Sequence, residues 1–202
     1  VNSPALAALV VEAGGVPHAL GIAKDTPDSL GHLVDLAGDV DFIITAGGVS
    51  VGDHDHVRAV MMALHATMCF ERVRVRPGGP TALAVLPDGR PWLALPGNPV
   101  SAMVTFELFA RPAIRAMCGH RSPERGRIGV MLAAEVRRDP VLEQYVRCRF
   151  AVGSDGTLTA SPTGPQGSGM LTSMAYADGL AAIPPGPGAI AAGSRVEAIR
   201  FR

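Results

Sequence analysis

The stretch Asp41-Phe-Ile-Ile-Thr-Ala-Gly-Gly-Val-Ser-Val-Gly-Asp-His-Asp-His56 decides how the rest of this chain is read. Asp41 is followed by a short apolar run, Phe42 to Ile44, which stops at Ala46-Gly47-Gly48. Such a run predicts a buried parallel strand that opens into a tight loop. Gly47, Gly48 and Gly52 permit positive φ and let a ligand approach main-chain N–H groups. Ser50 adds a hydroxyl, and Asp53 and Asp55 add carboxylates just before a helix expected from about Asp55 to Ala66. Ligands of open α/β sheets bind at the carboxyl ends of strands, so this loop is the leading candidate site. A lone glycine pair with solvated acids would be a simple turn. Glycines, a serine and two acids packed together point instead to a binding loop.

Outward from this stretch, helices alternate with strands. Ser3 to Ala13 reads as a helix with Asn2-Ser3 as cap and Pro4 at its first position. Val16 to Ile22 is a strand candidate. Asp25-Thr26-Pro27-Asp28 opens a second helix by the same cap-plus-proline device, ending at Gly38. Beyond the central loop, Met68 to Arg76 reads as extended. Thr81 to Leu86 and Pro91 to Leu95 are strands joined by the hairpin signal Pro87-Asp88-Gly89-Arg90. Leu95-Pro-Gly-Asn-Pro99 then turns into a long helix capped by Asn98, running through Met117 and interrupted near Arg111-Pro112. The expected architecture is α/β, three layers around a mostly parallel sheet, over residues 1–120.

From about residue 121 to 202 the pattern changes to short strand candidates punctuated by Gly and Pro. These are Gly129 to Val136, Gln144 to Val152, Thr157 to Ala160, Gly179 to Ile183 and Arg195 to Ile199. A small all-β barrel or sandwich is expected there.

Bulk properties narrow the class. The 202 residues are 48% hydrophobic and 18% charged with a formal net charge of zero, which gives no electrostatic reason to expect nucleic acid or an anionic membrane as partner. Cys69, Cys118 and Cys148 form no CxxC pair and are odd in number, which fits a reducing cytoplasm rather than a disulfide framework. The helix start at Val1-Asn2 lacks the strand that normally precedes it in a parallel sheet, so a fragment missing its amino-terminal part is expected.

Two further turns carry chemistry. Arg76-Pro77-Gly78-Gly79-Pro80 is either a tight turn with solvated arginines or an oxyanion site made of Arg76 and nearby N–H groups. Leu95-Pro96-Gly97-Asn98-Pro99-Val100-Ser101 aims a helix amino terminus at whatever lies above the sheet. His54 and His56 carry little weight as metal ligands, because neighbouring residues cannot all converge on one ion. Asp53 and Asp55 suit Mg²⁺, which takes one or two carboxylates plus phosphate oxygens and water.

Together these segments resemble the molybdopterin molybdenumtransferase family (MoeA-like), the bacterial relatives of the gephyrin E domain. The resemblance rests on the GGVS-x-GD-x-D loop (Asp41 to Asp55), Arg76 to Pro80, and the LPGNPVSA turn (Leu95 to Ala102). Thr163-Gly-Pro-Gln-Gly-Ser168 is similar to a T-G-x-Q-x-S segment of the family. The resemblance implies a molybdopterin-binding α/β domain followed by a small carboxy-terminal β-barrel. It implies insertion of molybdate into adenylylated molybdopterin, with Mg²⁺ and release of AMP, by a cytoplasmic enzyme that is a homodimer in its full-length form, with this fragment alone expected to be inactive. In this reading Gly47, Gly48, Ser50 and Gly52 hold the phosphate and pterin ends, with Pro96, Gly97, Asn98, Pro99 and Ser101. Asp53 and Asp55 position Mg²⁺ at the phosphoanhydride, and Arg76, Pro77, Gly78, Pro80 and Ser168 border molybdate.

Two positions depart from the family pattern. The commonly found K-P-G-K-P is Arg76-Pro-Gly-Gly-Pro80 here, and an arginine five residues before Arg147 is Leu142. Arg147 and Arg149 are the nearby cations that could compensate. Two alternatives stand beside this reading: a molybdopterin adenylyltransferase, and a catalytically silent binding or scaffold relative.

Overall fold

The computed structural model describes residues 2–24, 26–49 and 56–201. It resolves into two compact units, one of Val1–Val73 and Gly78–Glu124, the other of Arg74–Pro77 and Arg125–Arg202.

In the first unit, β1 (Ile43–Ala46), β2 (Thr67–Phe70), β4 (Ala82–Val85) and β5 (Pro91–Leu95) form a sheet in the order β1-β5-β4-β2, whereas β3 (Val75–Arg76) joins the second unit. β1 runs parallel to β5, but β5 with β4 and β4 with β2 are antiparallel. The sheet is therefore mixed among the described residues, and the mostly parallel arrangement expected from sequence is corrected. The cause is local. The Leu86 N–H bonds the Arg90 carbonyl at 2.9 Å and Gly89 takes φ +92°, closing a hairpin too short for a parallel crossover. The strand expected over Val16 to Ile22 is also absent. That segment pairs with no described strand, and Val16 and Ile22 are 81% and 93% exposed.

Side-chain alternation along the strands sorts the core. Trp92 and Ala94 of β5 join a cluster with Leu30 and Val34 of α2 (Pro27–Leu36) and with Val57, Val60 and Met61 of α3 (His56–Ala63). Leu93 and Leu95 join the opposite cluster, with Leu6 and Ala13 of α1 (Asn2–Ala13), Ala102 of α4 (Pro99–Thr105) and Ile114 of α5 (Arg111–Met117). Helices thus cover both faces of the sheet, as period-two strands with apolar residues on both sides require.

The expected cap at Thr26 is present: its hydroxyl accepts the Ser29 N–H at 3.3 Å, with Pro27 opening α2. Between α4 and α5 the helix widens into a π turn, Phe106–Ala110, in which the Arg111 N–H reaches the Phe106 carbonyl. Pro112 has no N–H to give and its ring crowds the preceding turn, so the wider turn accommodates it without breaking the helix.

The second unit comprises β6 (Arg127–Leu132), β7 (Val136–Arg137), β8 (Glu143–Val152), β9 (Leu158–Pro162), α6 (Leu171–Ala175), β10 (Gly179–Ile183), β11 (Ala189–Ile190) and β12 (Arg195–Arg200). Strands pair in the order β10-β12-β6-β9-β8, and β8 pairs back to β10, which closes the sheet into a five-stranded barrel. Its interior holds Val130, Leu132, Val146, Cys148, Ala160, Ala181, Ile183 and Ala198. β3 adds to β8 in parallel, with Arg76 opposite Gln144. The all-β expectation holds except for the five-residue α6.

Closure fixes two measurable properties. A side chain at Gly179 would collide with the Ile199 carbonyl oxygen and sit 2.7 Å from the Phe150 ring. Gly179→Ala should therefore cost about 1–3 kcal/mol in urea unfolding, while Gly126→Ala, with open space around it, should be near neutral. Burial pushes the Cys148 thiol up to about 11, whereas Cys69 and Cys118 are exposed. Iodoacetamide should accordingly label Cys69 and Cys118 in the native chain and Cys148 only after unfolding, as read by peptide mass spectrometry.

Candidate functional site

The parallel register of β1 and β5 ends with Ala46 opposite Leu95, so the turns that follow both strands leave the sheet at one end. The Gly47 N–H donates to the Leu95 carbonyl at 3.0 Å, extending the ladder by one bond. A Cβ built on Gly97 would lie 3.5 Å from the Gly47 Cα, so the two backbones face each other with no side chain between them. Gly48 takes φ +70°, and its carbonyl accepts the Val57 N–H at 3.3 Å, fastening the far end of the loop to the first turn of α3. Val49 is buried in the cluster with α2 and α3. Ser50, Gly52, Asp53 and Asp55 lie outside the described residues, on the segment between Val49 and His56. Among the described residues no group of three or more His, Cys, Asp or Glu side chains is arranged to hold a metal ion.

On the β5 side, Pro96 is buried while Gly97 and Asn98 are exposed. Asn98 occupies the cap position of α4 and its carbonyl accepts the Ala102 N–H at 2.9 Å, but its side chain makes no capping bond. This cap therefore differs from the one at Thr26, where the side chain does the work expected of both. Pro99 opens the helix as expected, and Ser101 is buried.

The sequence marks Asn2 only as a helix cap. Asn2 lies inside α1, and its Nδ2 donates to the Gly97 carbonyl at 2.8 Å, tying the helix start to the turn. Its Oδ1 is shielded from solvent and has no partner among the described residues. The sequence signal for this contact is no more than an amide at a helix start.

The motif Arg76 to Pro80 divides between the units. Gly78 to Pro80 belong to the first, where the buried Thr81 hydroxyl donates to the Gly78 carbonyl at 2.7 Å and the Val73 N–H to the Gly79 carbonyl at 3.0 Å. Arg76 and Pro77 belong to the second. There the Arg76 guanidinium faces Asp139, with Nη1 3.4 Å from Oδ2. N–H bonds from Val141 and Leu142, and then Arg76, hold the Asp139 carboxyl below the ordinary carboxylate range.

Arg147 is 1% exposed on β8. Its Nε donates to the Ser173 hydroxyl at 3.2 Å and its Nη2 to the Gly167 carbonyl at 3.1 Å. Its main chain grips Gln166 from both sides, N–H to Oε1 at 2.9 Å and carbonyl to Nε2 at 3.2 Å. Burial lowers its proton affinity. Arg147 therefore fastens the loop that carries Ser168 onto the barrel and is not free to swing toward a ligand. Arg149 is exposed, lies over Tyr176 with its guanidinium carbon 5.2 Å from the ring centroid, and donates from Nε to the Tyr176 carbonyl at 3.3 Å. Arg76 stands opposite Gln144, three positions before Arg147, so the two attachments lie about 10 Å apart along β8 at ~3.3 Å per residue.

The loop geometry yields a test. A Cβ at Gly48 would come within 2.9 Å of Val57 Cγ2 as well as straining a left-handed backbone. Gly48→Ala should lose about 1–3 kcal/mol in chemical denaturation. Gly21→Ala, with φ +97° but nothing within 4 Å, should lose only the backbone part.

Residues 1–116 match the family description "Probable molybdopterin binding domain", and residues 130–201 match "MoeA C-terminal region (domain IV)". A relative from Nostoc, named molybdopterin molybdenumtransferase, is 35% identical over 96% of this chain and 46% of its own length. A Staphylococcus aureus relative of the same name is 31% identical over 98% of this chain and 47% of its own. A crystal structure of the molybdopterin biosynthesis MoeA protein from Pyrococcus horikosii superposes over the whole chain with a TM-score of 0.82 at 28% identity, covering 48% of that protein. The chain thus spans about half the length of the relatives it matches. It carries both matched regions in the order found here, and it belongs to the MoeA-type molybdopterin molybdenumtransferase family.

Proposed function

We propose that this chain takes part in molybdenum cofactor biosynthesis by binding adenylylated molybdopterin and molybdate, as the carboxy-terminal part of a molybdopterin molybdenumtransferase. The observation that carries this reading is the pairing of two glycine-bearing turns at the end of parallel strands β1 and β5. That arrangement lets a phosphate or pterin lie against main-chain atoms with no side chain in the way. Gly47, Gly48, Gly97 and Asn98 would line it, with Ser50 and Gly52 on the adjoining segment. Asn2 would steady the Gly97 turn through its amide.

Asp53 and Asp55 would hold Mg²⁺. Their donor set suits that ion, and both lie on a segment whose start and return are fixed at Gly48 and Val57. When bound, Mg²⁺ would supply charge neutralisation at the phosphoanhydride whose cleavage releases AMP. Arg76, Pro77 and Ser168 would border molybdate in the second unit, with Gly78 and Pro80 on the same turn. A homodimer working in the cytoplasm belongs to the same reading. Three free thiols agree with a reducing compartment, and no described helix is long and apolar enough to cross a membrane.

The match of residues 130–201 to the MoeA carboxy-terminal region weighs against a stand-alone adenylyltransferase. One observation favours a binding relative of low activity: Arg76 already carries a carboxylate partner, and Gly79 and Leu142 supply no cationic side chain.

The test uses the intrinsic fluorescence of the pterin. The chain alone should bind adenylylated molybdopterin weakly, and in the full-length protein Asp55→Asn should slow Mg²⁺-dependent AMP release at least tenfold while the melting temperature stays unchanged. A chain that neither binds the nucleotide nor responds to Mg²⁺ would remove this reading.

A further inference from the structure

Arg76 ends β3, and its backbone position is set by the parallel ladder to Glu143 and Gln144. Asp139 is held at least as firmly. Its N–H donates to the Gln144 side chain at 2.7 Å, and its carbonyl accepts the Gly186 N–H at 2.9 Å. Its Oδ1 accepts two N–H bonds, from Val141 and Leu142, both at 3.0 Å. These contacts leave Oδ2 facing Arg76 Nη1 at 3.4 Å, and among the described residues Arg76 makes no other side-chain bond. The Arg76 side chain is 64% exposed while that of Asp139 is 16% exposed, so a fixed carboxylate meets a guanidinium whose other N–H groups remain open.

We propose that Asp139 is a built-in competitor for the oxyanion that Arg76 would bind, and so sets the affinity and charge preference of that turn. The proposal rests on the reading of Arg76 as an oxyanion donor. The physical reason is direct. A carboxylate beside the guanidinium already supplies the negative charge an incoming dianion would bring, and it repels that dianion at short range. The acid is not free to move aside, because its first oxygen is engaged by the turn. Its carboxyl is held below the ordinary range chiefly by Val141 and Leu142, so it stays ionised at neutral pH. Leu142 contributes only its main-chain N–H, and that bond goes to Asp139 rather than to a ligand. The same short turn thus presents an anion to Arg76 and no cationic side chain at Leu142.

Asp139→Asn separates the two roles of the side chain. The amide oxygen still accepts from Val141 and Leu142, while the atom facing Arg76 loses its charge. In calorimetric titration of the 202-residue chain with molybdate, this variant should bind about three- to tenfold tighter than the native chain. Asp139→Ser, which can also bond the turn N–H groups without charge, should move binding in the same direction if the asparagine variant folds poorly. Arg76→Gln should weaken molybdate binding and erase the gain when combined with Asp139→Asn. If Arg76→Gln weakens binding but neither Asp139 variant tightens it, the competitor proposal is overturned and the role of Arg76 stands. If no Arg76 or Asp139 variant alters the titration, the oxyanion reading of Arg76 falls and the proposal with it.

Discussion

The parallel ladder between β1 and β5 is the constraint on which the first unit depends. Ending both strands at the same level, Ala46 against Leu95, sends two turns out of the sheet side by side. Their backbones then approach so closely that Gly47 and Gly97 face each other without side chains. The packing behind the turns follows from the same register. Trp92 and Ala94 fall on the face covered by α2 and α3, while Leu93 and Leu95 fall on the face covered by α1, α4 and α5. A one-residue slip would turn every apolar side chain of β5 to the other layer, so the core itself enforces the alignment of the two turns.

In the second unit the comparable organising element is β8. This ten-residue strand pairs with β9, β10 and β3, and it is where the barrel closes. Arg147 lies on it as a buried guanidinium with two acceptors, the Ser173 hydroxyl and the Gly167 main-chain carbonyl. A cation in such a place is tolerable because acceptors replace part of its hydration. In return, Arg147 fastens the glycine-bearing segment to the barrel at Gln166 and Gly167. Arg76 and Asp139 are anchored to the same strand through Gln144.

The sequence is most legible where structure is decided locally. The Thr26-Pro27 helix start, the hairpin over Pro87 to Arg90 and the strand Gly179–Ile183 each follow from residues within a few positions of one another. Pairing between distant strands is not local. The Pro87 to Arg90 hairpin sets β4 antiparallel to β5, but nothing nearby in sequence sets β2 against β4 or β1 parallel to β5, and the strand candidate at residues 16–22 comes without a neighbour. The continuous extended segment read over Met68 to Arg76 is divided for the same reason, because β2 finds its partner in β4 and β3 finds its partner in β8. The glycine loop and the LPGNPVSA turn were legible as candidates because their residue types are specific. The bonds made by Asn2, Arg147 and Asp139 were not, since each joins residues that only the folded chain brings together.

The excursion of Arg74–Pro77 into the second unit bears on how this chain can be dissected. A cut between Glu124 and Arg125, natural on the linear map, would leave a barrel without β3. The flank of β8 at Glu143 and Gln144 would then present bare N–H and carbonyl groups, the kind of edge that invites pairing with another copy. The same cut would strand Asp139 without its guanidinium partner. A faithful excision of the second unit would have to carry residues 74–77 with it, as a tethered strand or a circular permutant. The unit is continuous in space but not along the chain, and its modularity in evolution or engineering is limited accordingly.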